Sequence, residues 1–388
     1  MDRRWTSVRR LFYFRLMNAA SLIAAADAAA ARRDLPGAAS LLQQATDASP
    51  ADAEIWKRLA ACHRALGRPS DALAAVAAAL ALVPRDPLTL MMKGALQEAV
   101  GTDAEEAYRA ALAFMPPPDA LPPPLRAQAE RARAYADRAA TARAARLDAT
   151  VAAAVEGLSL APGESGRIDA FCVALAEGRT TTVLPGLSRP AYFAPELFGP
   201  LVAVARNHAT YRREYLALAQ DPDSARAYVD HPAGVPLDQW AALNRSRQWS
   251  AAHLWRGGVP VAEHVRRCPR TVEAFARLPI PAMRGRAPNL MFSVLAPHTR
   301  IPRHVGVLNA RLVVHVPLIV PEACAMIVGD ERRHWIPGEA LVFDDTLEHE
   351  AWNDSGATRV VLIGDVWHPD LSANERTVVT ALLDAMAV

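Results

Sequence analysis

The sequence predicts a multidomain chain whose α and β parts are separate: an N-terminal α-helical repeat array, then a mainly β domain of the jelly-roll or double-stranded β-helix kind. Three observations predict it. A pattern of small and apolar residues recurs at a spacing of 34 residues in the first third of the chain. Prolines then cluster at 116–118 and 122–124. Past residue 163 the texture changes to short runs of valine, leucine and isoleucine, divided by glycine and proline and accompanied by frequent tryptophan.

At the start, Arg3, Arg4, Arg9 and Arg10 precede an apolar stretch from Leu11, which is the order of a secretory leader. Arg15 breaks that run, and Leu16 to Ala26 is about half the length that spans a bilayer, so the segment is expected to be the first repeat helix. Ala38, Leu42, Ala45 and Pro50 recur as Ala72, Val76, Ala79 and Pro84, and a third copy reads Ala104, Tyr108, Ala111 and Pro116 at an offset of 32. Gly67 and Gly101 fall where a turn between paired helices belongs. Small alanines let two helices approach closely, and the closing proline stops the second helix of each pair. Residues 14–118 therefore resemble tetratricopeptide repeats, with Trp56, Leu59 and Ala60 at matching positions in the middle unit.

Residues 119–162 are expected to form a helical linker after the proline break. Leu125 to about Leu158 is rich in Ala, Arg and Glu and reads as one long helix or a helix pair, with Gly163 to Gly166 ending it. Residues 163–388 make up the β domain, where Arg311 to Val320 and Arg359 to Asp365 are strand-like and Gly329-Asp330 and Pro337-Gly338 are turns. Short, closely spaced strands suit a jelly roll rather than a parallel sheet.

With 43 basic and 41 acidic side chains, the net charge of +2 sets up no field of one sign, so neither nucleic acid nor a membrane surface is expected as a partner. Cys62, Cys172, Cys268 and Cys324 lie far apart without CxxC spacing, which predicts free thiols and a reducing, cytoplasmic location.

Chemistry concentrates in the β domain. Ser293, His304 and the run from Phe343 to Asn353, which contains His349, belong together with Arg359, ten residues beyond His349 at the start of an apolar strand. A buried arginine there is costly unless an anion compensates it, and a dicarboxylate co-substrate supplies one. The guanidinium would hold the far carboxylate in a forked pair, the Ser293 hydroxyl would add a third hydrogen bond, and the near end would meet a metal held by His304 and His349. Asp344 and Asp345 precede His349 on a turn and are expected to shape the loop rather than to ligate.

Pro302-Arg303-His304-Val305-Gly306, Asn309-Ala310-Arg311-Leu312, His315-Val316-Pro317-Leu318, Phe343-Asp344-Asp345, Glu348-His349-Glu350-Ala351-Trp352-Asn353, Arg359 and Asp365-Val366-Trp367-His368-Pro369 together resemble the aspartyl/asparaginyl β-hydroxylases, over roughly residues 180 to 380. The resemblance implies a double-stranded β-helix oxygenase domain in which His304 and His349 bind iron(II). It also implies that Arg359 and Ser293 grip the distal carboxylate of 2-oxoglutarate, that His315 sits near the proximal one, and that O2 is the co-reactant. Most oxygenases of this class complete a facial triad with a carboxylate two residues after the first histidine, but that position here is Gly306, itself typical of this family. Where the animal members carry an arginine two residues before the histidine matching His315, this chain has Val313, which leaves the proximal carboxylate to His315 and the iron, or to Arg311. Their paired cysteines also lack a counterpart.

Arg311 is a candidate to hold a substrate Asp or Asn. Trp249 and Trp255 fall in a segment resembling the family's substrate-side wall, with core packing as the alternative role. The implied activity is β-hydroxylation of Asp or Asn in a protein or peptide captured by the repeats. The alternatives are hydroxylation of a free amino acid, natural product or lipid, and a non-catalytic repeat scaffold.

Overall fold

The computed structural model describes residues 19–178 and 181–387; the arginines from Arg3 to Arg15 and the expected array's first residues, 14–18, lie outside them. The chain divides into two compact units. One ends at Ala139 and takes in His231–Pro236, and the other comprises Ala140–Asp230 and Leu237–Val388.

The first unit is helical: α1 (19–31), α2 (Leu35–Ala48), α3 (Ala53–Ala65), α4 (Pro69–Leu82), α5 (Pro87–Ala99) and α6 (Glu105–Phe114). From α2 onward each helix packs on the next. The repeated positions form the shared core: Ala38, Leu42, Ala45, Ala72, Val76, Ala104, Tyr108 and Ala111 are all buried in one cluster. Pro50, Pro84 and Pro116 each stand two residues past the end of α2, α4 and α6. Asp34, Asp52 and Asp86 accept hydrogen bonds from first-turn amides of α2, α3 and α5, satisfying donors that have no intrahelical partner. Gly67 and Gly101 make their turns at φ +69° and +73°, the left-handed region where a side chain is disfavoured. In the third copy the larger Tyr108 is accommodated by Gly94 of α5, where a Cβ would lie 2.5 Å from the tyrosine ring. Gly94→Ala is therefore expected to cost about 1–3 kcal/mol through overpacking, despite alanine's better helix propensity, and a melting curve reads it.

Helix α7 (Pro123–Ala154) is a single 32-residue helix, and the division between the units falls inside it. Gly163 to Gly166 do not end a helix as expected. They lie in the first turn of α8 (Pro162–Ala176), because Pro162 begins that helix and Glu164 accepts a hydrogen bond from the Ala161 amide at 2.7 Å. Helix α7 instead ends at the turn 155–157, where Gly157 takes φ +79°, and α8 follows after a short extended stretch.

In the second unit, α9 (Leu201–Arg206), α10 (His208–Leu218), α11 (Ala262–Arg267) and α12 (Pro269–Phe275) cover one face of a sheet, and α13 (Ala373–Met386) closes the chain. The strands are β1 (Arg226–Ala227), β2 (Trp249–Arg256), β3 (Val259–Pro260), β4 (Leu290–Leu295), β5 (Thr299–His304), β6 (Arg311–Ile319), β7 (Cys324–Val328), β8 (Glu331–Arg333), β9 (Leu341–Phe343), β10 (His349–Asn353) and β11 (Arg359–Trp367). They form a major sheet in the order β1-β2-β4-β11-β6-β9, with β3 paired to β2, and a minor sheet in the order β5-β10-β7-β8. Every pairing within them is antiparallel. Neighbours distant in sequence, such as β4 beside β11 and β5 beside β10, are the jelly-roll crossovers.

Alternation along the major sheet sorts its side chains. Ala252, Leu254, Leu290, Phe292, Leu312, Val314, Val316, Val360 and Leu362 bury against the helices, with Tyr211, Leu218 and Phe275 among their partners. Odd-numbered residues such as Trp249, Ser293, Val313, His315 and Arg359 point the other way, toward the minor sheet, and line the cavity described next.

Candidate active site

A cavity of about 200 Å³ lies between the two sheets. From β2, β4, β6 and β11 it receives Trp249, His253, Met291, Ser293, Arg311, Val313, His315, Arg359, Ile363 and Asp365; from β5, β7 and β10 it receives Ile301, Met326, His304, His349 and Ala351. All seven candidate residues from the sequence, Ser293, His304, His315, His349, Arg359, Arg311 and Trp249, line it together. Trp255 does not: a register shift between His253 and Trp255 turns it toward the helix-side core.

His304 and His349 are cross-strand partners with ring centroids 4.0 Å apart. Their meeting depends on a bulge. Ala351 pairs with Ile301, but His349 pairs with His304, so β5 carries one extra residue and its even-numbered histidine joins the inward set. Each Nδ1 faces a backbone carbonyl two residues back, Pro302 O at 2.8 Å for His304 and Leu347 O at 2.9 Å for His349. A carbonyl only accepts, so Nδ1 carries the proton and Nε2 keeps its lone pair, as a metal ligand requires. Burial pulls the His304 ring down to about 4, with His349 adding to the effect, and burial likewise lowers His349. Both are neutral at pH 7. Among the described residues no group of three or more His, Cys, Asp or Glu side chains is arranged to hold a metal.

Position 306 shows why no carboxylate joins them there. A Cβ on Gly306 would fall 2.2 Å from the carboxyl carbon of Asp345, whose side chain occupies that space. Asp345 is held there by Arg311 at 2.9 Å, and Arg311 also lies 3.6 Å from Asp365, which accepts two hydrogen bonds from Asn289. Although burial opposes its charge, the two aspartates keep Arg311 protonated. Gly306→Ala is expected to dislodge Asp345, strand Arg311 and lower stability by about 1–3 kcal/mol, seen as an earlier melt.

Arg359 presents the opposite case. Its side chain is among the largest fully buried ones, at 1% exposure, and neither Nε nor Nη1 has a hydrogen-bond partner. Burial pulls the guanidinium down to about 10, which still leaves it charged at pH 7. Its compensating contact is the ring of Trp335, whose centroid lies 4.7 Å from the guanidinium carbon. Ser293, on the adjacent strand, accepts a hydrogen bond from Trp249 Nε1 at 3.2 Å, which leaves its own hydroxyl proton for another acceptor. His315 accepts from Trp335 Nε1 at 3.1 Å through Nδ1, and burial first, then Arg359, drives its pKa well below the ordinary histidine value.

Sequence reasoning did not foresee Trp335, Asn289, His253, or the bracketing of Arg311 by Asp345 and Asp365. Tyr228 also escaped it, stacking on Trp249 with centroids 4.1 Å apart at the cavity wall. Asp344 shapes its loop as expected, accepting from Thr346 N and Oγ1 and from Arg189. Asn309 and His368 from the quoted motifs are structural pins, bonded to the Leu184 backbone and Ser188 O. The cysteines described are free.

Two packed antiparallel sheets of a jelly-roll domain thus enclose paired neutral histidines and a buried arginine with free hydrogen-bond donors. Comparison with known proteins makes this specific: residues 205–369 match the family model of aspartyl/asparaginyl β-hydroxylases, and residues 22–96 match that of tetratricopeptide repeats. A segment similar to the aspartyl/asparaginyl β-hydroxylases thus follows one similar to tetratricopeptide repeats. It is 31% identical over 161 residues to the human aspartyl/asparaginyl β-hydroxylase, covering 41% of this chain and 21% of that one. It is 33% identical over 215 residues to an aspartate β-hydroxylase domain-containing protein 2 of Xenopus tropicalis, covering 52% and 56%. A third relative, 36% identical over 145 residues and covering 37% and 49%, is the ornithine lipid ester-linked acyl 2-hydroxylase of Rhizobium tropici. The chain thus spans about a fifth to about half the length of these relatives. Among solved structures, a cupin domain of a transcriptional regulator from Enterobacter cloacae aligns over 21% of this chain and 81% of that one, at 15% identity and a TM-score of 0.19, too slight a likeness to argue from. Among the described residues no helix is long and apolar enough to cross a membrane.

Proposed function

We propose that the β domain is an iron(II)- and 2-oxoglutarate-dependent dioxygenase that hydroxylates the β-carbon of Asp or Asn residues in a protein or peptide, which the repeats capture. The observation that carries this reading is Arg359: a buried guanidinium with free donors, in a cavity it shares with two histidines whose Nδ1 atoms are already engaged. An isolated buried charge costs several kcal/mol, and a cavity that keeps one is built for an anion. Iron(II), 2-oxoglutarate and O2, when bound, supply the oxidising power that replaces an unactivated C–H by C–OH, with succinate and CO2 released.

The protein's part is placement. His304 and His349 offer two Nε2 lone pairs, and their depressed pKa values keep protons from competing for them. Arg359 donates to the distal carboxylate with the Ser293 hydroxyl beside it, while His315 donates from Nε2 to the proximal carboxylate. Arg311 is already engaged by Asp345 and Asp365, so His315 carries the proximal end in place of the arginine that Val313 replaces. Ile301, Val313, Met326, Phe343 and Ala351 line the cavity with apolar surface that holds water away from these groups.

The test is incubation with iron(II), 2-oxoglutarate and peptides containing Asp or Asn, read by mass spectrometry. Gain of one oxygen at an Asp or Asn, matched by succinate, supports the reading. A second reading, acyl hydroxylation, is favoured by the Rhizobium relative and by the aromatic wall of Tyr228 and Trp249. Oxygen gain only in an acyl lipid would replace the first reading by this one.

A further inference from the structure

We propose that Trp335 is the positioning residue for the co-substrate: its indole N–H sets the tautomer of His315, and its ring carries the guanidinium of Arg359. The proposal rests on the co-substrate reading above. Trp335 is buried in the turn between β8 and β9 and stands behind the cavity wall rather than in it. It nevertheless touches both groups assigned to the two ends of the dicarboxylate, by a hydrogen bond to His315 Nδ1 at 3.1 Å and by ring contact with Arg359 at 4.7 Å.

The chemistry follows from what each partner can do. An indole N–H only donates, so His315 Nδ1 must hold a lone pair and the proton must sit on Nε2, the nitrogen left for the cavity. A carboxylate there meets a donor. With the proton on Nδ1 it would meet a lone pair instead, and the interaction would change sign. Around one cavity, then, His304 and His349 present lone pairs because carbonyls face their Nδ1 atoms, whereas His315 presents an N–H because an indole faces its own. Contact with the face of the guanidinium completes the arrangement, since it offsets part of the buried charge and leaves the edge N–H groups to form a forked pair with a carboxylate.

The test uses full-length protein. Nitrogen-15 NMR of labelled histidine and tryptophan in the metal-free chain reads the tautomers, and calorimetry with anaerobic iron(II) reads 2-oxoglutarate affinity. In wild type, His315 is expected to be protonated on Nε2 only, with a through-hydrogen-bond coupling between Trp335 Nε1 and His315 Nδ1. Trp335→Phe keeps a ring beneath Arg359 but removes the donor, so His315 should become a mixture of tautomers while His304 and His349 are unchanged. Affinity should fall by about tenfold or more. In a His315→Gln background, whose amide donates whatever its neighbour, Trp335→Phe should change affinity by less than about twofold.

A wild-type His315 protonated on Nδ1, or a Trp335→Phe protein with wild-type tautomer and affinity, overturns the proposal. If wild type binds no 2-oxoglutarate, the co-substrate reading fails by itself, and the tautomer measurement still decides whether Trp335 sets His315. Should Trp335→Phe not fold, the wild-type coupling decides it.

Discussion

Replacing Arg359 by methionine is expected to weaken 2-oxoglutarate binding about a hundredfold or more while raising the melting temperature of the ligand-free protein by a few degrees. Both effects come from the same fact. The guanidinium is fully buried and two of its nitrogens lack hydrogen bonds, so the ligand-free fold carries a desolvation cost that the Trp335 ring offsets only in part. Exchanging buried charge for an apolar side chain of similar volume is often neutral or stabilising by about 1–4 kcal/mol, and 1 kcal/mol moves the melt by roughly 2–4 °C in a domain of this size. Removing one member of a desolvated, hydrogen-bonded charge pair costs about 2–5 kcal/mol of binding. Calorimetric titration and thermal melting of the same variant check the two halves. A variant that melts earlier and binds as wild type would mean that Arg359 is satisfied by the fold itself.

The second large effect is expected at the histidines. His349→Ala should lower iron(II) affinity by more than the roughly 10–100-fold typical of losing an outer-shell partner, since it would remove one of the two proposed protein donors. The fold should persist, because His349 pairs through its backbone with both β5 and β7 and its ring makes a side-chain bond only to the nearby Leu347 carbonyl. Equilibrium dialysis against iron(II), with circular dichroism to verify the fold, measures this. Retained affinity in a folded variant would remove His349 from the metal site.

How far these features can be read from sequence depends on whether they are local. The repeat array was legible because its signal is steric and periodic: the alanines at 38, 45, 72, 79, 104 and 111 are small where helices cross, and all are buried. The strands around Arg311 and Arg359 were legible because the helix-facing set, Leu312, Val314 and Val316 with Val360 and Leu362, is apolar without exception. The glycines at 163 and 166 misled, since Pro162 and Glu164 build a helix start that tolerates them.

Within the site, motif spacing brought the seven candidate residues to one cavity, yet it said nothing of how they are aimed. The extra residue that turns His304 inward is a property of the β5–β10 register and has no marker in Pro302-Arg303-His304. Gly306 could be seen to lack a carboxylate, but the cause, Asp345 filling the space, lies 39 residues along the chain. Arg311 is a candidate from sequence to hold a substrate Asp or Asn, whereas in the fold Asp345 and Asp365 close on it from two other segments. Trp335 was one tryptophan among eight, and only the fold places it between His315 and Arg359.

In the proposed function, one cavity binds iron(II) through His304 and His349 and 2-oxoglutarate through Arg359. Anaerobic titration of metal-free protein with iron(II), with and without 2-oxoglutarate, tests it most directly through the visible charge-transfer band of the chelate. The expected result is a band in wild type that is lost in His349→Ala and that requires about a hundredfold more 2-oxoglutarate in Arg359→Met. Folded, iron-loaded wild-type protein that shows no band at saturating 2-oxoglutarate would contradict it.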